Sequence, residues 1–180
     1  MRVITGSARG VRLKTPDGLK TRPTADRVKE ALFSVIQFEV QGARFLDLFA
    51  GTGQMGIEAL SRGAQSAVFV DEWKNACNLV RENLQLTKLA DKAKVVNLDY
   101  LSYLKTCRET FDIVFLDPPY AEIFLENALN KISEIDILSD RGIIICERSA
   151  DKQLDLEIPG LMRCKDYKYG NTWVTVFRKA

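Results

Sequence analysis

A chain of 180 residues with 46% hydrophobic content has the length of one domain and enough apolar surface for a core, which excludes disorder for most of it. It has no histidine, which excludes imidazole triads and histidine-ligated zinc hydrolases or deaminases and leaves carboxylates, hydroxyls, backbone groups or a reactive cofactor to do any chemistry. The net charge is only +2, no apolar run nears the roughly 18 residues of a membrane span, and Met1-Arg2-Val3-Ile4-Thr5-Gly6 lacks a secretion signal, so a cytoplasmic protein is expected.

The charge is unevenly placed. Residues 1–29 hold eight basic side chains (Arg2, Arg9, Arg12, Lys14, Lys20, Arg22, Arg27, Lys29) against Asp17 and Asp26, a net of +6, while the remainder carries 18 basic against 22 acidic residues. A cationic arm on a mildly acidic body is the footprint of a protein that meets a polyanion such as nucleic acid, although a solvated arm without a partner has the same composition. Within the arm, residues 2–5 and 9–14 are β-prone and separated by Gly6-Ser7-Ala8, which predicts a hairpin. Past the turn at Thr15-Pro16-Asp17-Gly18, Thr24 is placed to cap a helix whose apolar positions are Val28, Ala31, Leu32, Val35 and Ile36.

From residue 44 the pattern becomes short, continuously apolar runs alternating with amphipathic stretches, the signature of a parallel sheet covered on both faces. Strands are predicted near Phe45–Phe49, Ala67–Val70, Lys94–Leu98, Ile113–Leu116 and Ile143–Cys146, and helices near Met55–Arg62, Trp73–Thr87, Tyr100–Thr106 and Ile123–Ile135. Two further β-prone runs, Met162–Tyr167 and Thr172–Arg178, flank Tyr169-Gly170-Asn171 and predict a closing antiparallel hairpin. The organisation expected is a basic extension over 1–40 and a Rossmann-like α/β domain over 41–180. Cys77, Cys107, Cys146 and Cys164 form no Cys-x-x-Cys pair and are expected to be buried thiols, and no metal site is expected.

The first strand runs into Ala50-Gly51-Thr52-Gly53-Gln54-Met55-Gly56. Gly51 and Gly53 let the backbone approach a ligand, and Gly56 lets the helix pack on the strand. The spacing also fits the G-x-G-x-x-G dinucleotide fingerprint, with Asp71 twenty residues after Gly51 as the ribose-binding carboxylate. Asp47 before the glycines and Asp99 after the third strand weigh against a pyrophosphate. Three carboxylates around such a loop suit a cofactor bearing a sulfonium and an ammonium and no phosphate, S-adenosylmethionine. Singly, each aspartate could as well be a helix cap.

Asp117-Pro118-Pro119-Tyr120 comes after the fourth strand. The prolines stiffen the loop, so that Asp117 and the Pro118 carbonyl present two fixed acceptors. An exocyclic base amine is a poor nucleophile because its lone pair is delocalised. Two acceptors gripping its hydrogens direct that lone pair toward a methyl donor, Asp117 relays the proton, and Tyr120 stacks on the base. A base inside a duplex would first have to be extruded.

Asp47-Leu48-Phe49-Ala50-Gly51-Thr52-Gly53, Gly56-Ile57-Glu58-Ala59-Leu60-Ser61-Arg62-Gly63-Ala64 and Asp117-Pro118-Pro119-Tyr120 together resemble the RsmD family of bacterial small-subunit ribosomal RNA guanine-N2 methyltransferases. Gly6-Ser7-Ala8-Arg9-Gly10, the block from Arg22-Pro23-Thr24 to Phe33, and Tyr169-Gly170-Asn171-Thr172 extend the resemblance over nearly the whole chain. It implies a class I methyltransferase fold, a mostly parallel seven-stranded sheet with a C-terminal antiparallel hairpin. It also implies methylation of a guanine N2 amine in 16S rRNA on small-subunit particles; no spare hydrophobic element argues for a dimer, so a monomer is expected. Arg9, Arg12, Arg22 and Arg27 would then hold phosphates near the target. From chemistry alone the base stays open among guanine N2, adenine N6 and cytosine N4, with an NAD-dependent oxidoreductase as the alternative from another enzyme class.

Overall fold

A computed structural model describes residues 1–16, 23–118, 121–149 and 157–180. In chain order the elements are α1 (Pro23–Val35), β1 (Arg44–Asp47), α2 (Gln54–Ser61), β2 (Ser66–Asp71), α3 (Lys74–Thr87), β3 (Ala93–Asn97), α4 (Tyr100–Thr106), β4 (Phe111–Leu116), α5 (Ala121–Ile135), β5 (Leu138–Ser149), β6 (Leu161–Tyr169) and β7 (Thr172–Lys179). They form one seven-stranded sheet in the order β3-β2-β1-β4-β5-β7-β6. The first five strands pair in parallel, and β7 pairs antiparallel with both β5 and β6. The chain winds outward from β1 to β3 and then crosses back to place β4 on the other side of β1. The order therefore reverses between β1 and β4, where open α/β sheets leave a crevice.

The continuous apolar runs reflect burial on both faces. On β1, Phe45 faces one core with the N-terminal residues, α1, α2 and α3, while Leu46 faces a second core with α4 and α5. The same alternation sends Phe69, Phe115 and Ile145 to the first core and Val70, Leu116 and Cys146 to the second. Each such side chain stabilises the fold by about 1.5–3 kcal/mol relative to exposure. Gly56 marks the tightest contact of helix on sheet: a Cβ there would lie 2.3 Å from Phe69 Cε1, so only glycine lets α2 settle on β2.

The sequence expectations hold for every strand and helix of the α/β body, with β5 beginning five residues before the predicted run. The N-terminal hairpin does not form a ladder: only Arg2 and Arg12 make an isolated antiparallel bridge. Three backbone bonds cross it, from Val3 N to Val11 O, from Gly10 N to Val3 O and from Leu13 N to Met1 O, and α2 takes further donors of the arm. The amides of Ile4 and Thr5 donate to the Glu58 carboxylate at 2.8 and 3.0 Å, Ser7 N donates to Ser61 O, and Ala8 N donates to Ser61 Oγ. Helix α1 starts at Pro23, so Thr24 lies inside it and is not its cap; proline at the first helical position gives up an amide that would have no partner there. Cys77, Cys107 and Cys146 are buried, but Cys164 is exposed, because it lies on β6, the outermost strand of the sheet. No described helix is long and apolar enough to cross a membrane.

Candidate active site

The parallel strands all end at one rim of the sheet, and at or next to those ends stand Asp99, Asp71, Asp47, Asp117 and Glu147. Asp47 closes β1 and is 1% exposed, with Oδ2 accepting from Gly56 N at 3.2 Å. Burial raises its carboxyl to about 7, against the pull of the Gly56 amide, and the charges of Asp117 and Asp71 add to the rise. Asp71 closes β2 and braces the glycine turn: Oδ2 accepts from Gly51 N at 2.9 Å and Oδ1 from Trp73 N at 2.9 Å. Each of its oxygens keeps a further lone pair for a ligand hydroxyl.

The turn itself is shaped for close approach. Gly51 has φ 54° and a Cβ there would meet nothing within 4 Å, so open space lies over the backbone. Gly53 has φ 76° and lies against Val80, where an added Cβ would come within 3.1 Å. Next to it, Gln54 Oε1 is buried without a hydrogen-bond partner among the described residues. The indole of Trp73, 67% exposed, stands two residues past Asp71 on the same rim.

Leu116 of β4 pairs with Cys146 of β5, so Asp117 and Glu147 come next in the same register, side by side. Asp117 reaches solvent from within surrounding protein that pushes its carboxyl upward. Glu147 is half-buried, and burial followed by the charge of Asp117 raises its carboxyl as well. Two such neighbours cannot both ionise cheaply, so they titrate as a pair above the usual carboxylate range. Pro118 is half-buried and, having no amide hydrogen, offers only an acceptor.

The fold thus brings Asp47, Gly51, Gly53, Asp71 and Asp117 to one rim. Asp99 stands further out, two residues past β3, where Oδ1 caps α4 by accepting from Ser102 N at 3.0 Å. Hydrogen bonds from the Ser102 side chain and amide hold the Asp99 carboxyl below its ordinary range. Arg9, Arg12 and Arg27 are exposed, whereas Arg22 and Tyr120 lie outside the described residues. Of the arm's other cations, Lys29 is 2% exposed and donates to Arg2 O at 2.6 Å, so it is a structural group and not part of a charged surface.

Three residues escaped the sequence reading. Glu147 carried a usable signal, because it stands directly after the fifth apolar run as Asp117 stands directly after the fourth. Glu58 and Asn83 carried none, because their partners lie far away along the chain. The Asn83 amide donates to Thr52 O at 2.9 Å and to Lys14 O at 3.1 Å while Oδ1 accepts from Lys14 N at 2.7 Å, which ties the arm to the glycine turn.

A family model described as "Conserved hypothetical protein 95" matches residues 1–178. A protein of Bacillus subtilis named "Putative rRNA methyltransferase YlbH" is 41% identical over 99% of both chains. The "Ribosomal RNA small subunit methyltransferase D" of Haemophilus influenzae is 38% identical over 86% of this chain and 81% of its own length. Among solved structures, "Putative methyltransferase yhhF from Escherichia coli" superposes with a TM-score of 0.90 at 30% identity, over 99% of this chain and 97% of that one.

Proposed function

The chain belongs to the Conserved hypothetical protein 95 family, and from that premise we propose that it transfers the methyl group of S-adenosylmethionine to an exocyclic amine of small-subunit ribosomal RNA, the N2 amine of a guanine. The observation that carries this reading is the meeting, at one rim, of an open glycine turn braced by Asp71 and the acceptor pair Asp117-Pro118. The names of the relatives point to the same substrate class. The reading includes a monomer working in the cytoplasm on small-subunit particles.

The residues present fit the cofactor. The space over Gly51 admits a ligand against the backbone, Asp71 retains lone pairs for ribose hydroxyls, and the unpartnered Gln54 Oε1 is an acceptor in want of a donor. Asp47, once ionised, favours a sulfonium and an ammonium in the crevice and opposes the pyrophosphate of NAD. Asp99, exposed at the outer end of the row, accepts an adenine amine. When bound, S-adenosylmethionine supplies a methyl group on sulfur that is already a good leaving group.

The protein's part is alignment and proton handling. Asp117 and the Pro118 carbonyl accept the two amine hydrogens, which fixes the nitrogen lone pair in one direction. Holding the reacting atoms in line at roughly 3–3.5 Å is worth about 7–11 kcal/mol of the barrier. As the N–C bond forms, one N–H proton passes to Asp117 and then to solvent. Tyr120 stacks on the base, and Arg9, Arg12, Arg22 and Arg27 hold phosphates around it.

The reading is tested by transfer of labelled methyl to small-subunit particles from a strain lacking the enzyme, followed by digestion and identification of the modified nucleoside. N2-methylguanosine is expected, and N6-methyladenosine or N4-methylcytidine would overturn the base assignment. Asp117→Asn is expected to lower kcat on the order of 10²–10⁴-fold with cofactor affinity, measured by titration calorimetry, left near that of the parent.

A further inference from the structure

The outermost strand carries a second row of side chains that the proposed chemistry does not use. On β6, Lys165, Tyr167 and Tyr169 pair across to Val176, Val174 and Thr172 of β7. Val174 and Val176 belong to the first core, so this row occupies the sheet face on which that core lies. Val174 pairs in turn with Glu147, the neighbour of Asp117. The row therefore continues the acceptor rim across three strand spacings, about 14 Å at ~4.8 Å per strand.

The chemistry of the row is that of a nucleic-acid surface. The rings of Tyr167 and Tyr169 are nearly parallel, 7° apart in plane with centroids separated by 6.4 Å. The Lys165 ammonium lies 5.0 Å from the centroid of Tyr167. Both tyrosines touch the core yet remain half-exposed, and Lys165 is exposed. Residues 161–180 hold five basic side chains against the single Asp166, a net of +4. Flat π-faces accept any base, and adjacent cations hold the backbone, which is the combination that binds single strands.

We propose that Lys165, Tyr167 and Tyr169 form a stacking platform for the single-stranded RNA that flanks the target nucleotide, with the tyrosine rings under bases and Lys165 on a phosphate. The platform rests on the reading of the protein as an RNA methyltransferase. Its charge favours a polyanion over an apolar protein face, and its continuity with Asp117 and Glu147 places it along the path of the strand that delivers the reacting base.

The test measures RNA affinity and methyl transfer separately on the full chain. Tyr167→Leu and Tyr169→Leu keep apolar contact with the core and remove the π-face, the phenylalanine variants keep the ring, and the exposed Lys165→Glu poses no risk to folding. The leucine variants are expected to weaken RNA binding and raise KM for RNA on the order of tenfold, with kcat, cofactor affinity and melting temperature held. The phenylalanine variants should match the parent. Lys165→Glu should flatten the salt dependence by roughly 0.7 in log–log slope, the worth of one phosphate contact on single strands. Unchanged RNA affinity in the Lys165 and leucine variants would overturn the platform, as would leucine variants that lose cofactor affinity and melting temperature in step with RNA. A parent protein that binds RNA through these residues but transfers no methyl would leave the platform standing and remove the proposed reaction.

Discussion

Asp47, to which the proposed function gives a role in cofactor binding, is held at a cost to stability. Its carboxyl rises to about 7 in the folded chain because it is buried, whereas in an unfolded chain it titrates near 3.9. The folded state therefore holds the proton more tightly, and stability falls as pH climbs from about 4 through 7, where the unfolded form has already released it. Asp47→Asn removes that penalty. Its expected effect is a gain on the order of 4 kcal/mol at pH 8 and little change at pH 4, read by denaturant unfolding. The same variant is expected to bind S-adenosylmethionine more weakly at pH 8, because the negative charge facing the sulfonium and ammonium is gone. The parent's cofactor affinity should likewise decline as pH drops below about 7. The position of Asp47 beside the glycines was legible in the sequence, since a strand end leading into Gly-x-Gly has few geometries. Its protonation was not, because that depends chiefly on burial by segments distant along the chain, with the charges of Asp117 and Asp71 adding to it.

At the scale of elements, the N-terminal arm and α1 are joined to α2 through one buried carboxylate. Glu58 is fully buried and accepts from Ile4 N, Thr5 N and Arg62 Nε, with Lys29 Nζ 3.8 Å away. Burial lowers the Lys29 pKa, and the charge of Glu58 opposes that fall. Glu58→Ala would leave two amides and Arg62 Nε without their acceptor and the buried Lys29 ammonium without its nearest carboxylate, a loss of about 3–5 kcal/mol. The expected readout is a lower unfolding midpoint together with faster proteolysis of the arm. Pairing it with Lys29→Met should recover part of the loss, because the isolated charge is then gone. Periodicity made the helices and strands readable, and at the arm it indicated the antiparallel pairing but not its brevity or its anchorage. The β-prone runs 2–5 and 9–14 do bond to each other, as Val3 N to Val11 O and Gly10 N to Val3 O, but no local pattern encodes the anchorage of Ile4, Thr5, Ser7 and Ala8 on Glu58 and Ser61, which lie far along the chain.

Across the whole molecule, the N-terminal arm and the β6–β7 hairpin both pack on the first core. The arm is tied to the glycine turn through Asn83, and the β6–β7 hairpin continues the row beyond Glu147. Both carry excess positive charge, while the crevice between them is lined with carboxyls. RNA and cofactor should therefore respond to salt in opposite measure. Between 50 and 200 mM salt, RNA affinity is expected to fall steeply, by roughly 0.7 log units per log unit of salt for each phosphate held, and cofactor affinity should change little because its contacts lie within the crevice. Charge reversal at Arg9 and Arg27 should reduce the slope for RNA and leave the cofactor isotherm unchanged; equal damage to both would assign those arginines to the cofactor crevice. The uneven charge was visible in the sequence, but its division into a buried Lys29 and exposed arginines was not.

The last strand in the chain is not the last in the sheet. Because β7 is inserted between β5 and β6, β6 has no edge to join until residues 172–179 have been made. During synthesis β6 must wait, without a partner in the sheet, for residues 172–179 to emerge. A chain lacking residues 172–179 would leave β5 open along Glu147 and β6 without the strand that joins it to the sheet, so the far side of the acceptor rim is completed only after β7 has formed.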